Sequence, residues 1–86
     1  MEKGHFVYIL LTETNKFYCG YSTDVERRFL EHKQDKKGAK FTKLNKPVKI
    51  VYKKAFVTKS EAMKEEYRIK HLTRKEKEEL IHASDS

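Results

Sequence analysis

Apolar positions along the chain fall into short runs separated by turn formers. Residues 6–11, Phe-Val-Tyr-Ile-Leu-Leu, form the longest run, and 16–19 a shorter one. Between them lies Thr12-Glu13-Thr14-Asn15, a stretch of turn formers, so the two runs predict a β-hairpin. Gly20 is expected to end its second strand. Thr23-Asp24-Val25-Glu26 has capping-box spacing. Val25, Phe29 and Leu30 then recur at helical intervals, which predicts a helix over 24–33. Residues 34–47 read as a lysine-rich connection holding Gly38 and the single proline. Pro47 blocks helix propagation and pushes Lys46 toward extended geometry. Val48, Ile50 and Tyr52 alternate with Lys49, Val51 and Lys53, predicting a strand over 48–57 with one wetter face. Ser60 opens a second helix. Thr73-Arg74-Lys75-Glu76 opens a third with another capping-box spacing, and 82–86 is expected to fray. The order β-β-α-β-α-α predicts an α+β class, a small three-stranded antiparallel sheet flanked by helices.

Length and composition narrow the picture. Eighty-six residues suit a single domain, with a core over about 5–81. Hydrophobic residues make up 37% and charged residues 38%, mixed at regular intervals, which argues against a disordered chain. The longest apolar run is far short of the roughly 20 residues that span a bilayer. The N-terminus has no signal-peptide pattern. Cys19 is the only cysteine, so neither an internal disulfide nor a thiolate metal cluster is available. These features predict a cytoplasmic monomer with no membrane association.

Charge adds a functional clue because it is uneven. The net charge is +7, and residues 33–54 carry nine lysines against Asp35 alone, while the flanking thirds nearly cancel. Phe41 and Tyr52 are interleaved with those lysines. Such a block suits a polyanion backbone, since each lysine near a phosphate releases counterions. A solvated lysine-rich surface is the plainer alternative.

Three further features stand out. Tyr8 and Tyr18 lie ten positions apart with a turn midway, which lets them approach across the hairpin; ordinary strand packing accounts for either alone. Arg28 and His32 project from one helix face, a pairing also common on solvated faces. On a wheel of the second helix, Ala62, Met63, Tyr67, Ile69 and Leu72 trace an apolar arc. Glu66 falls about 40° from Ala62, inside the arc, and Glu65 about 60° to the other side. An inward carboxylate needs a partner. That partner is either a structural Lys or Arg or a divalent metal. Cys19, at an apolar strand position, reads as packing.

The strings Phe6-Val7-Tyr8, Tyr18-Cys19-Gly20 and Ser22-Thr23-Asp24-Val25-Glu26-Arg27-Arg28 resemble the signature of the GIY-YIG nuclease domain. Arg28, eight positions beyond Gly20, takes the place of that family's catalytic arginine, and His32 matches a histidine one turn later. Ala62 and Glu66 match the helix that supplies the family's metal-binding glutamate. The stretches Gly38-Ala39-Lys40-Phe41-Thr42, Pro47-Val48, Ser60-Glu61-Ala62-Met63, Ile69-Lys70 and Leu72-Thr73-Arg74 resemble small stand-alone bacterial members. The first tripeptide departs from Gly-Ile-Tyr but keeps its tyrosine.

The resemblance implies phosphodiester hydrolysis with one divalent ion, Mg²⁺ or Mn²⁺ in its place, held by Glu66. Tyr8, helped by Tyr18, would activate water, and Arg28 would hold charge on the phosphoryl oxygens with His32 nearby. Gly20 would serve as a structural turn. Lys33, Lys36, Lys37, Lys40, Lys43 and Lys46 would track nucleic acid, DNA in preference to RNA, and a partner protein would supply targeting. Two other readings stay open: a nucleic-acid-binding module of the same fold with little cleavage, and an interaction protein whose basic surface meets an acidic partner.

Overall fold

The computed structural model describes residues 4–34 and 46–85, with side chains up to 31 and from 46 to 83. Strand β1, His5–Thr12, pairs antiparallel with β2, Phe17–Ser22, and on its other side with β3, Pro47–Phe56. The sheet order is therefore β2-β1-β3, with the first strand at the centre. Helix α1 is Val25–Gln34, α2 is Lys59–Lys70 and α3 is Arg74–Asp85. The order β-β-α-β-α-α and the three-stranded antiparallel sheet agree with the sequence.

The central strand is apolar on both faces because helices cover both. Tyr8 and Leu10 face α1 and pack with Val25, Phe29 and Ile50. Val7 and Ile9 face the other way, toward Ala62 and Ile69 of α2, with Leu72, Leu80 and Ile81 around them. Each fully buried aliphatic side chain contributes on the order of 1.5–3 kcal/mol.

The hairpin turn is tied by polar groups. The Thr12 and Asn15 amides donate to the Lys16 and Thr12 carbonyls, both at 2.9 Å. The buried Thr12 hydroxyl accepts from the Lys16 amide at 3.0 Å. Asn15 has φ 64°, the left-handed region that asparagine tolerates. The Arg74 guanidinium, from the start of α3, donates to the Asn15 carbonyl and stacks on the Phe17 ring with its carbon 4.2 Å from the ring centre. The third helix therefore pins the far end of the hairpin.

Several expectations change in detail. β2 does not end at Gly20 but runs on to Ser22. The cap of α1 is Asp24, whose carboxylate accepts from the Arg27 amide at 3.1 Å, in place of Thr23. Glu26, expected to close that capping box, instead receives Lys53 from β3 at 2.9 Å. α2 is capped by Thr58, which accepts from the Glu61 amide at 3.2 Å, rather than opening at Ser60. Helix α3 continues to Asp85 in place of a frayed end at 82.

β3 differs most. Ile9 pairs with Tyr52 but Leu10 pairs with Ile50, so Val51 is an extra residue. A bulge of this kind breaks the two-residue alternation. Ile50 accordingly faces α1 while Tyr52 joins the opposite core, and Val48, beside a second irregularity, is exposed. The α2 arc is also narrower than expected. Ala62 and Ile69 are buried, but Met63 and Tyr67 lie outside the contact stripe, and the Tyr67 ring lies tilted by 38° against that of His71 with ring centres 4.2 Å apart.

The capping box of α3 is complete. The Glu76 amide donates to the Thr73 hydroxyl at 3.2 Å, and the Thr73 amide donates to the Glu76 carboxylate at 2.9 Å. Thr73→Ala removes one half of this reciprocal pair. We expect it to cost about 1 kcal/mol, read as a lower urea midpoint with an unchanged slope.

Candidate active site

The site is built on edge strand β2. Tyr8 sits opposite Gly20, and Tyr18 lies two residues along β2 on the same face, opposite Leu10. The Tyr8 ring leans across the strand over Gly20. A Cβ built there would lie 2.5 Å from the Tyr8 hydroxyl and 2.7 Å from its ring carbon. No described glycine has positive φ, so Gly20 supplies room for a ring within a strand and not the turn expected of it.

The Tyr8 hydroxyl accepts from the Arg28 guanidinium. Arg28 is on the second turn of α1, where Asp24 begins the helix and the Arg28 amide closes its first bond onto the Asp24 carbonyl at 3.1 Å. The cap thus sets the height at which Arg28 emerges. Glu31 takes both neighbouring arginines, Arg27 at 3.2 Å and Arg28 at 3.6 Å. Burial raises the pKa of Tyr8 above its ordinary value, and proximity to Tyr18 adds to this; the hydrogen bond and charge of Arg28 work against both.

Beside this cluster is a groove of about 290 Å³ lined by Tyr21, Ser22, Thr23, Asp24, Arg27 and Arg28. Two guanidinium groups and two hydroxyl residues on one concave surface suit a phosphodiester, because arginine donates through a planar fork. Arg27 and Tyr21 were not singled out by the sequence. Their signal was present only in the register, which carries β2 past Gly20 and brings Tyr21 to the mouth of α1.

Glu66 reaches β2 from the other side. Its helix packs on the face opposite Tyr8, and its carbonyl accepts a weak contact from the Cys19 thiol at 3.9 Å. Cys19 lies between Tyr18 and Gly20, so Glu66 approaches the same stretch of edge strand. Its carboxylate is only 14% exposed and pairs with Lys70 at 3.5 Å. Glu65, 16% exposed, pairs with Arg68 at 2.6 Å. Both glutamates flank the buried stripe of Ala62 and Ile69, one on each side, so burial alone does not separate them; their neighbours do. Glu66 faces Cys19 of β2, while Glu65 lies toward Tyr52 and Lys54 of β3.

Among the described residues no three His, Cys, Asp or Glu side chains gather as a metal cage. A single carboxylate is nevertheless the donor set that a hydrated Mg²⁺ ion takes when substrate phosphate supplies other oxygens. His32 falls on α1, but its side chain and that of Lys33 lie outside the described residues, as do Lys36, Lys37, Lys40 and Lys43. Lys46 is exposed, and its carbonyl accepts from the Glu13 amide at 2.9 Å, which ties the end of the lysine-rich connection to the hairpin turn.

Residues 4–79 match the family model of the GIY-YIG catalytic domain. The chain belongs to the GIY-YIG family. It is 47% identical over 78 residues to a UPF0213 protein of Bacillus velezensis, covering 91% of this chain and 78% of that one. It is 46% identical, with the same coverage, to the UPF0213 protein YazA of Bacillus subtilis. The solution structure of a UPF0213 protein from Bacillus halodurans superposes with a TM-score of 0.61 at 45% identity, covering 93% of this chain and 84% of that chain. A second solution structure, of a protein from E. faecalis, gives 0.67 at 39% identity, covering 98% and 88%. The GIY-YIG chain is thus a member whose relatives are small bacterial proteins of similar length.

Two outcomes follow for this GIY-YIG site. Gly20→Ala should destabilise the fold by about 1–3 kcal/mol, because the ring of a buried tyrosine must move; thermal unfolding will read it. Burial, with Glu66 adding to it, pushes the Cys19 thiol up to about 11. In the folded protein at pH 8, Cys19 should therefore alkylate with iodoacetamide roughly 100-fold more slowly than in urea, where an ordinary thiol has a pKa of about 8.5.

Proposed function

We propose that this protein is a metal-dependent nuclease that hydrolyses phosphodiester bonds in nucleic acid, with DNA preferred over RNA. The meeting of Tyr8, Tyr18 and Arg28 beside a two-arginine groove, in a chain of this family, carries the reading. We place its action in the cytoplasm, as a monomer, with targeting left to a partner protein.

Arg28 binds the phosphoryl oxygens on which charge accumulates, and its fixed fork makes it the main electrostatic stabiliser. Arg27 and the hydroxyl residues of the groove hold the adjoining phosphate. Tyr18 orients Tyr8. Arg28 stands beside the Tyr8 hydroxyl, and its charge lowers the pKa of that group. Tyr8, helped by Tyr18, would activate the attacking water. Glu66 would hold the metal, and a bound Mg²⁺ ion would polarise the phosphate and stabilise the leaving oxygen. His32 is taken as a further phosphate contact. Lys33, Lys36, Lys37, Lys40, Lys43 and Lys46 would follow the backbone outside the reaction centre.

The ion pair between Glu66 and Lys70 favours a second reading, a binding module in which that carboxylate is structural. One variant separates the two. Under the nuclease reading, Glu66→Gln abolishes Mg²⁺-dependent cleavage of a labelled DNA while the circular dichroism spectrum and DNA affinity stay near those of the parent protein. A parent protein that binds DNA but never cuts it would support the module instead. Arg28→Ala should lower kcat by about 10²–10³, well beyond its effect on affinity. Equal losses in turnover and binding would reduce Arg28 to a phosphate anchor.

A further inference from the structure

The outward face of α2 belongs to neither core. On a helical wheel, Lys59, Lys70, Met63, Tyr67, Ser60 and Lys64 fill the arc from about 60° to about 200° away from Ala62. The carboxylates of the helix all fall outside it, Glu66 at about 40°, Glu61 at about 260° and Glu65 at about 300°. All six side chains of the arc are exposed. Tyr67, in the middle of them, is 67% exposed, and Met63 39%. The His71 ring lies 4.2 Å from that of Tyr67 and steadies it from one side. Nδ1 of His71 is in turn 2.8 Å from the Tyr67 carbonyl. A solvated helix surface accounts for the lysines, but not for a tyrosine left open among them.

The arc begins at the edge strand that carries the candidate site. The Lys59 ammonium, at the first turn of α2, lies 5.9 Å from the centre of the Tyr21 ring on β2, whose hydroxyl is engaged with Nδ1 of His5 at 2.7 Å. Lys70 pairs with Glu66 at 3.5 Å, and the Glu66 backbone meets Cys19 of the same strand. From there the face turns outward to solvent, on the side of the sheet opposite Arg28. Lys59 and Lys70 are eleven positions apart, about 16 Å along a helix axis. A row of that length meets several phosphates of one strand.

We propose that this face of α2 binds an unpaired strand of nucleic acid, with Lys59, Lys64 and Lys70 on its phosphates and a base stacked on Tyr67. The inference rests on the nuclease reading and deepens it. The strand leaves the arginine groove, crosses the edge of β2 and continues along α2, with Lys70 standing where the two regions join. Lysines at phosphates release counterions and give affinity without sequence preference. Stacking adds to this for any base, because every base has a π-face. In a duplex those faces are covered by neighbouring pairs, so an open tyrosine favours a strand whose bases are free.

The test follows, by fluorescence anisotropy in the absence of metal, binding of the full chain to a fluorescein-labelled oligothymidylate, which forms no duplex. Tyr67→Ala leaves the charge unchanged and lies at an exposed position; it is expected to weaken binding about fivefold or more. Tyr67→Phe keeps the ring and should restore the parent's affinity. Lys59→Gln combined with Lys64→Gln should flatten the slope of log affinity against log salt by about 1; Lys70 is left in place because it also pairs with Glu66. Titration of the unaltered protein with the same strand should shift the amide resonances of α2. Tyr67→Ala binding as tightly as the parent would overturn the proposal while leaving the nuclease reading intact. An unchanged salt slope in the lysine variant would do the same, as would a Tyr67→Phe variant as weak as Tyr67→Ala. A parent protein that binds a DNA duplex but not oligothymidylate would also overturn the proposal alone. One that binds neither would bring down the nuclease reading and this surface with it.

Discussion

The close approach of Tyr8 to Gly20 is the constraint on which the site depends. A tyrosine on the central strand has its ring directed over the neighbouring strand, and only a residue without a Cβ leaves it space. With the ring held there, its hydroxyl reaches the edge of the sheet and meets Arg28. Any side chain at position 20 would push the phenol away and uncouple it from the helix. The same burial that fixes the ring raises the pKa of its hydroxyl, and the neighbouring Arg28 works against that rise.

The central strand is the second organising element. Because β1 has a neighbour on each side and helices on both faces, its residues are apolar in both directions, and alternation is lost. Its odd and even positions feed two small cores, one under α1 and one under α2. The bulge at Val51 lets β3 serve both, sending Ile50 to one core and Tyr52 to the other. β2, at the edge, is thereby reached from above by Tyr8 and Arg28 and from below by Glu66. A site astride an edge strand is open to a long polymer in a way that a site within the sheet would not be.

Charge acts on the fold mainly through short-range pairs. Those along the helices, such as Arg27 with Glu31 and Arg74 with Glu78, are exposed and worth little individually. The contacts that fix architecture join distant segments. Lys53 reaches from β3 to Glu26 of α1, and Arg74 reaches from α3 to the hairpin turn at Asn15. Arg74 also covers the Phe17 ring, so its removal would cost packing as well as charge.

By itself the sequence determined the element order, the hairpin, two of the capping positions' neighbourhoods and the tyrosine and arginine of the signature, because these are set by local pattern and fixed spacing. It also drew attention to Glu66, since a carboxylate within an apolar helix arc is visible on a wheel. Only the tertiary structure decided what depends on pairing. The bulge at Val51 is invisible in an alternating run, since Val51 is as apolar as its neighbours. Gly20 looked like a strand end because glycine commonly marks turns, whereas its role comes from a ring twelve residues earlier in the chain. Glu65 and Glu66 are equally sheltered, and the strand that each one faces distinguishes them. His5 and Tyr21 are sixteen residues apart and share no motif; they meet because the hairpin register puts them on one face. Local propensity reads from neighbours in sequence, and these features arise from neighbours across the sheet.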